Sequence, residues 1–320
     1  MSHPNLSSQR SAGADPIHAL LDAPGGGVLA IIAGIEGPSC RPMGAMMAVL
    51  ADGTRRGTLL SGCIEADIAL HAAQALSAGT PRLIRYGKGS PYVDIELPCG
   101  GGLDILLLPI PDKTVLNDLA GRQAQRQRCS LFINMDTGEM AVHHTGPTGR
   151  SGQTLTVCFD PAIHFVIFGK GPEASTFAAL VQSAGYPNLL LSPDAETLEA
   201  SEASGCLTHH LTQQSFPTGL QIDDRTAIIL FFHDHEWEPP ILQGALKTDA
   251  FYIGSQGSQR ARDARIATLQ SMNVSAANIE RLHGPVGLIA SARDAGTLVV
   301  SVLAEILALA MDVNNERFDI

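Results

Sequence analysis

The segment Phe165-Val-Ile-Phe-Gly169-Lys-Gly171-Pro-Glu-Ala174 is the strongest indication of fold in the second half of this 320-residue chain. An apolar run of strand length is followed directly by two glycines and by the predicted start of a helix. In such a turn the first glycine permits the tight bend and the second lets a phosphate approach the backbone, while a small third residue lets the helix pack closely. Gly169, Gly171 and Ala174 therefore predict a Rossmann-type phosphate loop. The alternative is a glycine turn that binds nothing.

The rest of the second half alternates between strand and helix patterns. Apolar runs predict strands at 165–168, 189–191, 226–232 and 250–253, and helical spacing predicts helices at 172–184, 239–246, 258–272 and 297–311. This alternation indicates a parallel sheet covered by helices on both faces.

The first half is organised differently. It predicts strands at 27–35, 43–50, 57–60, 82–87, 92–97 and 103–110, helices at 64–76 and 115–127, and a hairpin at 130–144. A polar stretch at 151–161 marks the expected boundary. We therefore expect one domain over residues 1–150, with 1–15 as a flexible tail, and a second over residues 160–320.

Charge and composition indicate which partners and which cellular compartment the protein is expected to have. Lys and Arg number 21 and Asp and Glu number 32, so the formal net charge is −11, which opposes binding to nucleic acid or to an anionic membrane. The most apolar stretch, 297–311, is shorter than the roughly 20 apolar residues of a membrane span. Residues 1–10 lack the layout of a signal peptide, and the six scattered cysteines include no C-x-x-C pair. We expect free thiols and a cytoplasmic protein.

Further short motifs follow one another from about Gly27 to Leu307. In the first half they are Gly37-Pro-Ser-Cys-Arg-Pro-Met-Gly-Ala45, Gly57-Thr-Leu-Leu-Ser-Gly-Cys-Ile-Glu65 and Cys99-Gly-Gly-Gly102. In the second half they are Phe232-His-Asp-His235, Tyr252-Ile-Gly-Ser-Gln-Gly257-Ser258 with Arg265, Gly284-Pro-Val-Gly-Leu288 and Ser301-Val-Leu-Ala-Glu305. With the glycine loop, their succession resembles the XdhC/CoxI family, the accessory proteins of xanthine dehydrogenase and related molybdenum hydroxylases.

The resemblance implies an α/β chain, in which a mixed XdhC/CoxI-type domain precedes a Rossmann-like parallel-sheet domain. It implies a maturation factor rather than an enzyme. Such a chaperone binds molybdenum cofactor of the molybdopterin type as cargo, assists its sulfuration with a cysteine desulfurase, and delivers it to a xanthine dehydrogenase-like apoenzyme. It also implies a homodimer.

Two departures leave the ligand of the second half open. The family's Asp-Pro-Arg turn is Ser192-Pro193-Asp194 here, and its Gly-Leu-Asp-Ile-Gly motif is Gly287-Leu-Ile-Ala-Ser291. Ser192 also stands where an NAD site would carry an acidic residue for the ribose. An NAD(P)-dependent oxidoreductase and a nucleotide-binding regulatory protein remain the alternative functions.

The first half contributes five candidate site residues. Cys63 precedes a predicted helix, whose dipole would favour a thiolate able to contact molybdenum, and Glu65 is its acid/base neighbour or a first-turn charge. Cys99 and Gly100 open a glycine turn that would bring backbone N–H groups to an anion. Arg41 carries a guanidinium suited to phosphate. The alternatives without a binding role are a buried thiol at Cys63, a sharp turn between strands at Cys99 and a surface arginine at Arg41.

The second half contributes two further groups of candidates. His233 and Asp234 follow a buried strand, at the sheet edge where such folds bind ligands, and could hydrogen-bond a pterin or a ribose. Gly254, Gly257 and Arg265 form a second strand-to-helix glycine loop that could hold an anion. A capped strand end and a solvated basic face are the alternatives.

Overall fold

A computed structural model of the chain describes residues 15–60, 62–90, 100–144, 146–233 and 236–316. These residues divide into two compact units, which meet in the sequence between Pro161 and Ala162. Within these ranges, no helix combines the length and the apolarity needed to cross a bilayer. The strand expected at 92–97 lies outside the described residues.

The first unit contains two antiparallel sheets. The helices are α1 (Pro16–Asp22), α2 (Gly62–Ala78) and α3 (Lys113–Ala124). The strands are β1 (Gly27–Glu36), β2 (Met46–Leu50), β3 (Arg55–Gly57), β4 (Arg82–Gly87), β5 (Gly102–Pro109), β6 (Cys129–Asn134), β7 (Met140–His143), β8 (Gly149–Ser151) and β9 (Thr154–Phe159). A five-stranded sheet has the order β3-β2-β1-β5-β4 and a four-stranded sheet has the order β7-β6-β9-β8.

Strand β1 lies at the centre of the larger sheet because both of its faces are apolar. Val28, Ala30 and Ile32 point into a core with residues of α2, whereas Leu29 and Ile31 point into a core with residues of α1, α3 and the smaller sheet. This is the two-residue alternation of a strand buried on both faces. The expected boundary region 151–161 contains β9, which pairs with both β6 and β8, and it ends at Pro161, where the first unit ends.

The second unit is a parallel sheet with helices on both faces. The strands are β10 (His164–Gly169), β11 (Asn188–Ser192), β12 (Leu207–His210), β13 (Thr226–Phe231), β14 (Tyr252–Ser255) and β15 (Leu282–His283). The helices are α4 (Pro172–Ser183), α5 (Ala195–Ala203), α6 (Glu238–Ala245), α7 (Gln259–Ser271), α8 (Ala276–Glu280) and α9 (Ala295–Glu316).

The order β12-β11-β10-β13-β14-β15 is the 3-2-1-4-5-6 order of a Rossmann fold, so the expected fold class is confirmed. The order reverses between β10 and β13, and a crevice forms at such a point beyond the carboxyl ends of the strands. In this unit the sequence patterns missed α5, α8, β12 and β15. Strand β12 is an edge strand of mixed polarity, Leu-Thr-His-His, so it lacks the apolar run of a central strand.

Candidate functional site

The glycine loop joins β10 to α4 at this crevice. A Cβ atom at Gly169 would lie 2.7 Å from the Cβ of Ala174 and 2.7 Å from the carbonyl oxygen of Phe231. Glycine at 169 and a small residue at 174 therefore allow α4 to pack directly against the sheet, as the sequence predicted.

The second glycine does not offer its backbone to a phosphate. Gly171 has φ +91°, in the region that favours glycine, and its N–H donates to Thr197 Oγ1 at 2.9 Å. The Thr197 hydroxyl donates in turn to Asp194 Oδ2, which also caps the start of α5. These hydrogen bonds from Thr197 lower the pKa of Asp194. The donor expected to face a phosphate is thus already occupied.

The second glycine loop, which was predicted to hold an anion, is tied to the rest of the unit by its own contacts. Gly254 lies inside β14, and a Cβ there would lie 2.6 Å from the ring of Tyr252. Arg265 is 3% exposed and contacts Glu238, which is 2% exposed, with Nη2 3.0 Å from Oε2. It also donates to the carbonyl oxygen of Gln256, near Gly257. Arg265 donates from Nε and Nη2 inside the protein, so these two nitrogens are already paired.

His233 lies beyond the end of β13, across the crevice from the glycine loop. Its Nε2 lies 3.4 Å from Oε1 of Glu173 in the first turn of α4, and its side chain is 69% exposed. The side-chain amide nitrogen of Gln256 lies 3.3 Å from the same ring nitrogen. Asp234 lies outside the described residues. His233 therefore belongs to a polar group with Glu173 and Gln256, two residues that sequence analysis did not select.

One end of the first unit's larger sheet gathers the other candidates. Glu36 at the end of β1 pairs with Gly102 at the start of β5, next to Gly100. Tyr86, one residue from the end of β4, donates to Asp67 in α2, so the helix begins at this end of the sheet. The candidates brought to this end are Arg41, which is exposed, the backbone of Cys63 in the first turn of α2, and Gly100. Cys99 lies outside the described residues.

Glu65 holds the chain that leads into α2. Its Oε1 accepts hydrogen bonds from the Thr58 hydroxyl and from the N–H groups of Leu59 and Leu60. Burial acts to raise the pKa of Glu65, but these hydrogen bonds outweigh it, and the pKa is lowered. An ionised carboxylate with these partners favours the structural role over that of an acid/base group.

Two further cations at the same end, Arg85 and Lys88, are paired with carboxylates of the same unit. Arg85 contacts both Glu36 and Asp104 and donates to the Lys88 carbonyl oxygen, while Lys88 Nζ lies 2.6 Å from Glu36 Oε1. Hydrogen bonds and charge from Lys88, joined by Arg85, lower the pKa of Glu36. Arg41 is therefore the candidate cation that remains exposed at this end.

The residues missed by sequence analysis left weak local signals. Glu173 follows the glycine loop directly, and Gln256 stands within the Gly254–Gly257 motif, so a search for acceptors beside glycines would have found both. Glu238 and Thr197 carry no such signal, because their partners are 27 and 26 residues away. Among the described residues, no group of three or more His, Cys, Asp or Glu side chains could hold a metal ion.

Comparisons with known proteins agree with this architecture. Residues 165–306 match the model of the XdhC Rossmann domain and residues 20–87 match that of the XdhC and CoxI family. The chain is 34% identical over 287 residues to the molybdenum cofactor insertion chaperone PaoD of Escherichia coli strain K12, covering 89% of this chain and 84% of the relative. A crystal structure of a xanthine dehydrogenase from Bacillus halodurans has the same fold, with a TM-score of 0.75 and 21% identity over 92% of this chain and 95% of that chain. The chain belongs to the XdhC and CoxI family.

Proposed function

We propose that this protein is a chaperone that binds molybdenum cofactor as cargo and supports its insertion into a molybdenum hydroxylase. The observation that carries the proposal is the 34% identity to a molybdenum cofactor insertion chaperone over 89% of the chain, which includes both units. The cargo would supply the hydroxylase with its reactive metal centre, and the chaperone would bind and protect it.

The finer proposal concerns the partners and the place of action. We propose that the apoenzyme served is of the xanthine dehydrogenase type and that a cysteine desulfurase supplies sulfur to the cofactor while the chaperone holds it. The protein would act in the cytoplasm as a homodimer. These steps follow from the family resemblance of the motifs around Arg41, Cys63 and Cys99.

The first unit offers the groups for the metal end of the cargo. Cys63 stands in the first turn of α2, a position that favours thiolate because the helix dipole is positive there. A thiolate is the soft ligand that suits a sulfur-rich molybdenum group. The exposed Arg41 suits the terminal phosphate of a pterin cofactor.

The test is anaerobic co-expression of the full chain in a host that makes molybdenum cofactor, followed by molybdenum and pterin analysis of the purified protein. We expect both in the wild type and a loss of most molybdenum in Cys63→Ser. Cys158→Ser, at a half-buried position in β9, serves as the control and should retain the cargo. Wild-type protein free of pterin and molybdenum would contradict the proposal.

The alternative is an NAD(P)-dependent oxidoreductase, and the Rossmann strand order is the observation in its favour. Against it, Ser192 is buried at the end of β11, Asp194 caps α5, and the Gly171 N–H is occupied by Thr197. An ordinary NAD site uses an acid at the end of the second strand and free N–H groups in the loop. Purified protein that binds NADH tightly and does not bind the pterin cofactor would favour the alternative.

A further inference from the structure

The crevice of the second unit carries hydrogen-bond acceptors where a Rossmann loop usually carries donors. Glu173 lies in the first turn of α4, and a Cβ atom at Gly171 would lie 3.7 Å from Glu173 Oε2. The carboxylate is therefore folded back over the glycine turn. It places negative charge at the helix N-terminus, in the region that a phosphate would need.

Two acceptor atoms in this crevice are buried without a partner. Among the described residues, Glu173 Oε2 and Gln256 Oε1 are both inaccessible to solvent and accept no hydrogen bond. Gln256 is 8% exposed, and its backbone is held by its N–H bond to Leu230 and by the Arg265 bond to its carbonyl oxygen. A buried acceptor without a donor lowers the stability of the folded protein. A bound molecule that donates hydrogen bonds to both oxygens would remove this cost.

Both acceptors border the same exposed histidine. His233 Nε2 lies 3.4 Å from Glu173 Oε1 and 3.3 Å from the amide nitrogen of Gln256. With a side chain that is 69% exposed, His233 is the solvent-facing member of the group. The two unpartnered oxygens therefore belong to one site at the point where the strand order reverses, which is the usual ligand position in this fold.

We propose that Glu173 and Gln256 together accept hydrogen bonds from a pair of donors on a ligand that enters the crevice between β10 and β13 and displaces the exposed His233 side chain beside them. The 2-amino-pyrimidinone edge of a pterin and the cis-diol of a ribose are two chemical groups that present such a pair. A phosphate does not, because it brings acceptors and negative charge to a carboxylate. The choice of a pterin as a probe rests on the proposed function, whereas the need for donors rests on the two unpartnered atoms.

The experiment titrates the full-length chain with probes that separate these groups. The probes are 6-hydroxymethylpterin, adenosine, 2′-deoxyadenosine and inorganic pyrophosphate, with binding followed by calorimetry or pterin fluorescence. We expect binding of the pterin, or of adenosine in preference to 2′-deoxyadenosine, and no competition by pyrophosphate. Competition by pyrophosphate, or no binding of any donor-bearing probe at millimolar concentration, would overturn the proposal.

Matched variants test the role of the carboxylate. Glu173→Gln should weaken binding of the successful probe at least tenfold, whereas Glu196→Gln, an exposed first-turn glutamate of the next helix, should not change it. The unfolding midpoint of Glu173→Gln should stay the same or rise, since the variant removes the charge of a partly buried carboxylate whose Oε2 accepts no hydrogen bond. Weaker binding that occurs only with a lowered midpoint would make Glu173 a structural residue and overturn the proposal.

The same variants separate this site from the chaperone function. Glu173→Gln protein that still acquires molybdenum in the co-expression assay, and still binds the probes like wild type, would refute the donor site while leaving the chaperone proposal intact. Wild-type protein that acquires no cargo, but binds adenosine in a manner that depends on Glu173, would refute the chaperone and retain the site.

Discussion

Among single residues, Arg265 and Glu238 form a buried ion pair within the second glycine loop region. Glu238 accepts from Arg265 and from the Ser255 hydroxyl, and both charged side chains are almost fully buried. Glu238→Ala should lower the free energy of unfolding by about 3–5 kcal/mol, because it leaves a buried charge without its partner. Denaturant unfolding measures this loss.

The control lies on the same helix as Arg265. Asp263 accepts an exposed hydrogen bond from Gln259, so Asp263→Asn should change the unfolding free energy by less than about 0.5 kcal/mol. Equal effects of Glu238→Ala and Asp263→Asn would contradict a dominant role for the buried pair.

His283 should make the stability of the folded protein depend on pH. His283 stacks on the ring of Tyr252, and burial lowers its pKa, although Glu305 acts in the opposite direction. The unfolded chain then binds a proton at a higher pH than the folded chain, so stability is present above about pH 6.5 and falls as the pH drops below that value. His283→Phe keeps a ring but cannot titrate, and should flatten this part of the stability profile between pH 7 and 5. An unchanged slope would show that other groups cause the loss.

Among the helices, α9 connects three of the family motifs, those that begin at Tyr252, Gly284 and Ser301. Glu305 accepts from the Tyr252 hydroxyl at 2.8 Å and from the Gly287 N–H, while the Ser301 hydroxyl accepts from the Ile289 N–H. The helix thereby holds the segment after the last strand. Glu305→Ala should cost about 1–3 kcal/mol for each buried donor left unsatisfied. Thermal unfolding checks this, with Ala304→Ser at an exposed position as a control of small effect.

The junction of β10 and α4 gives the second prediction at this scale. A Cβ at Gly169 would meet Ala174 and the backbone of Phe231 at 2.7 Å, and neither neighbour is a flexible side-chain end. Gly169→Ala should therefore destabilise the second unit by about 1–3 kcal/mol through overpacking. Gly149→Ala in the first unit, where a Cβ would meet open space, is the control. A wild-type unfolding midpoint for Gly169→Ala would show that the junction can relax.

At the scale of the whole molecule, each unit has its own buried cores. The first unit contains two hydrophobic clusters on either side of its larger sheet, and the second contains two on either side of the parallel sheet. Fragments 15–161 and 162–316 should therefore each fold alone. Circular dichroism and a cooperative unfolding transition for each fragment provide the measurement. A fragment without such a transition would show that its core depends on the rest of the chain.

The sequence alone determined the fold class and most central elements. Apolar runs, helical spacing and the Gly169–Ala174 turn are local signals, and they predicted the parallel sheet, its glycine junction and the hairpin of β6 and β7. Local signals failed where an element is short or mixed in polarity, as in α5 and the edge strand β12. The interpretation of 151–161 as a polar stretch missed β9, although its apolar Leu155 and Val157 alternate with threonines in the two-residue period of a strand.

Which of the candidate groups are free to bind a ligand depends on contacts between distant parts of the chain. Arg265, a motif arginine, is buried against Glu238, and the N–H of Gly171 is taken by Thr197. The two partners lie 27 and 26 positions away in the sequence. A charge or a donor is free only when no folded neighbour satisfies it, and that depends on distances which sequence spacing does not contain. For the same reason, the sequence does not show that Glu173 Oε2 and Gln256 Oε1 are buried without a hydrogen-bond donor.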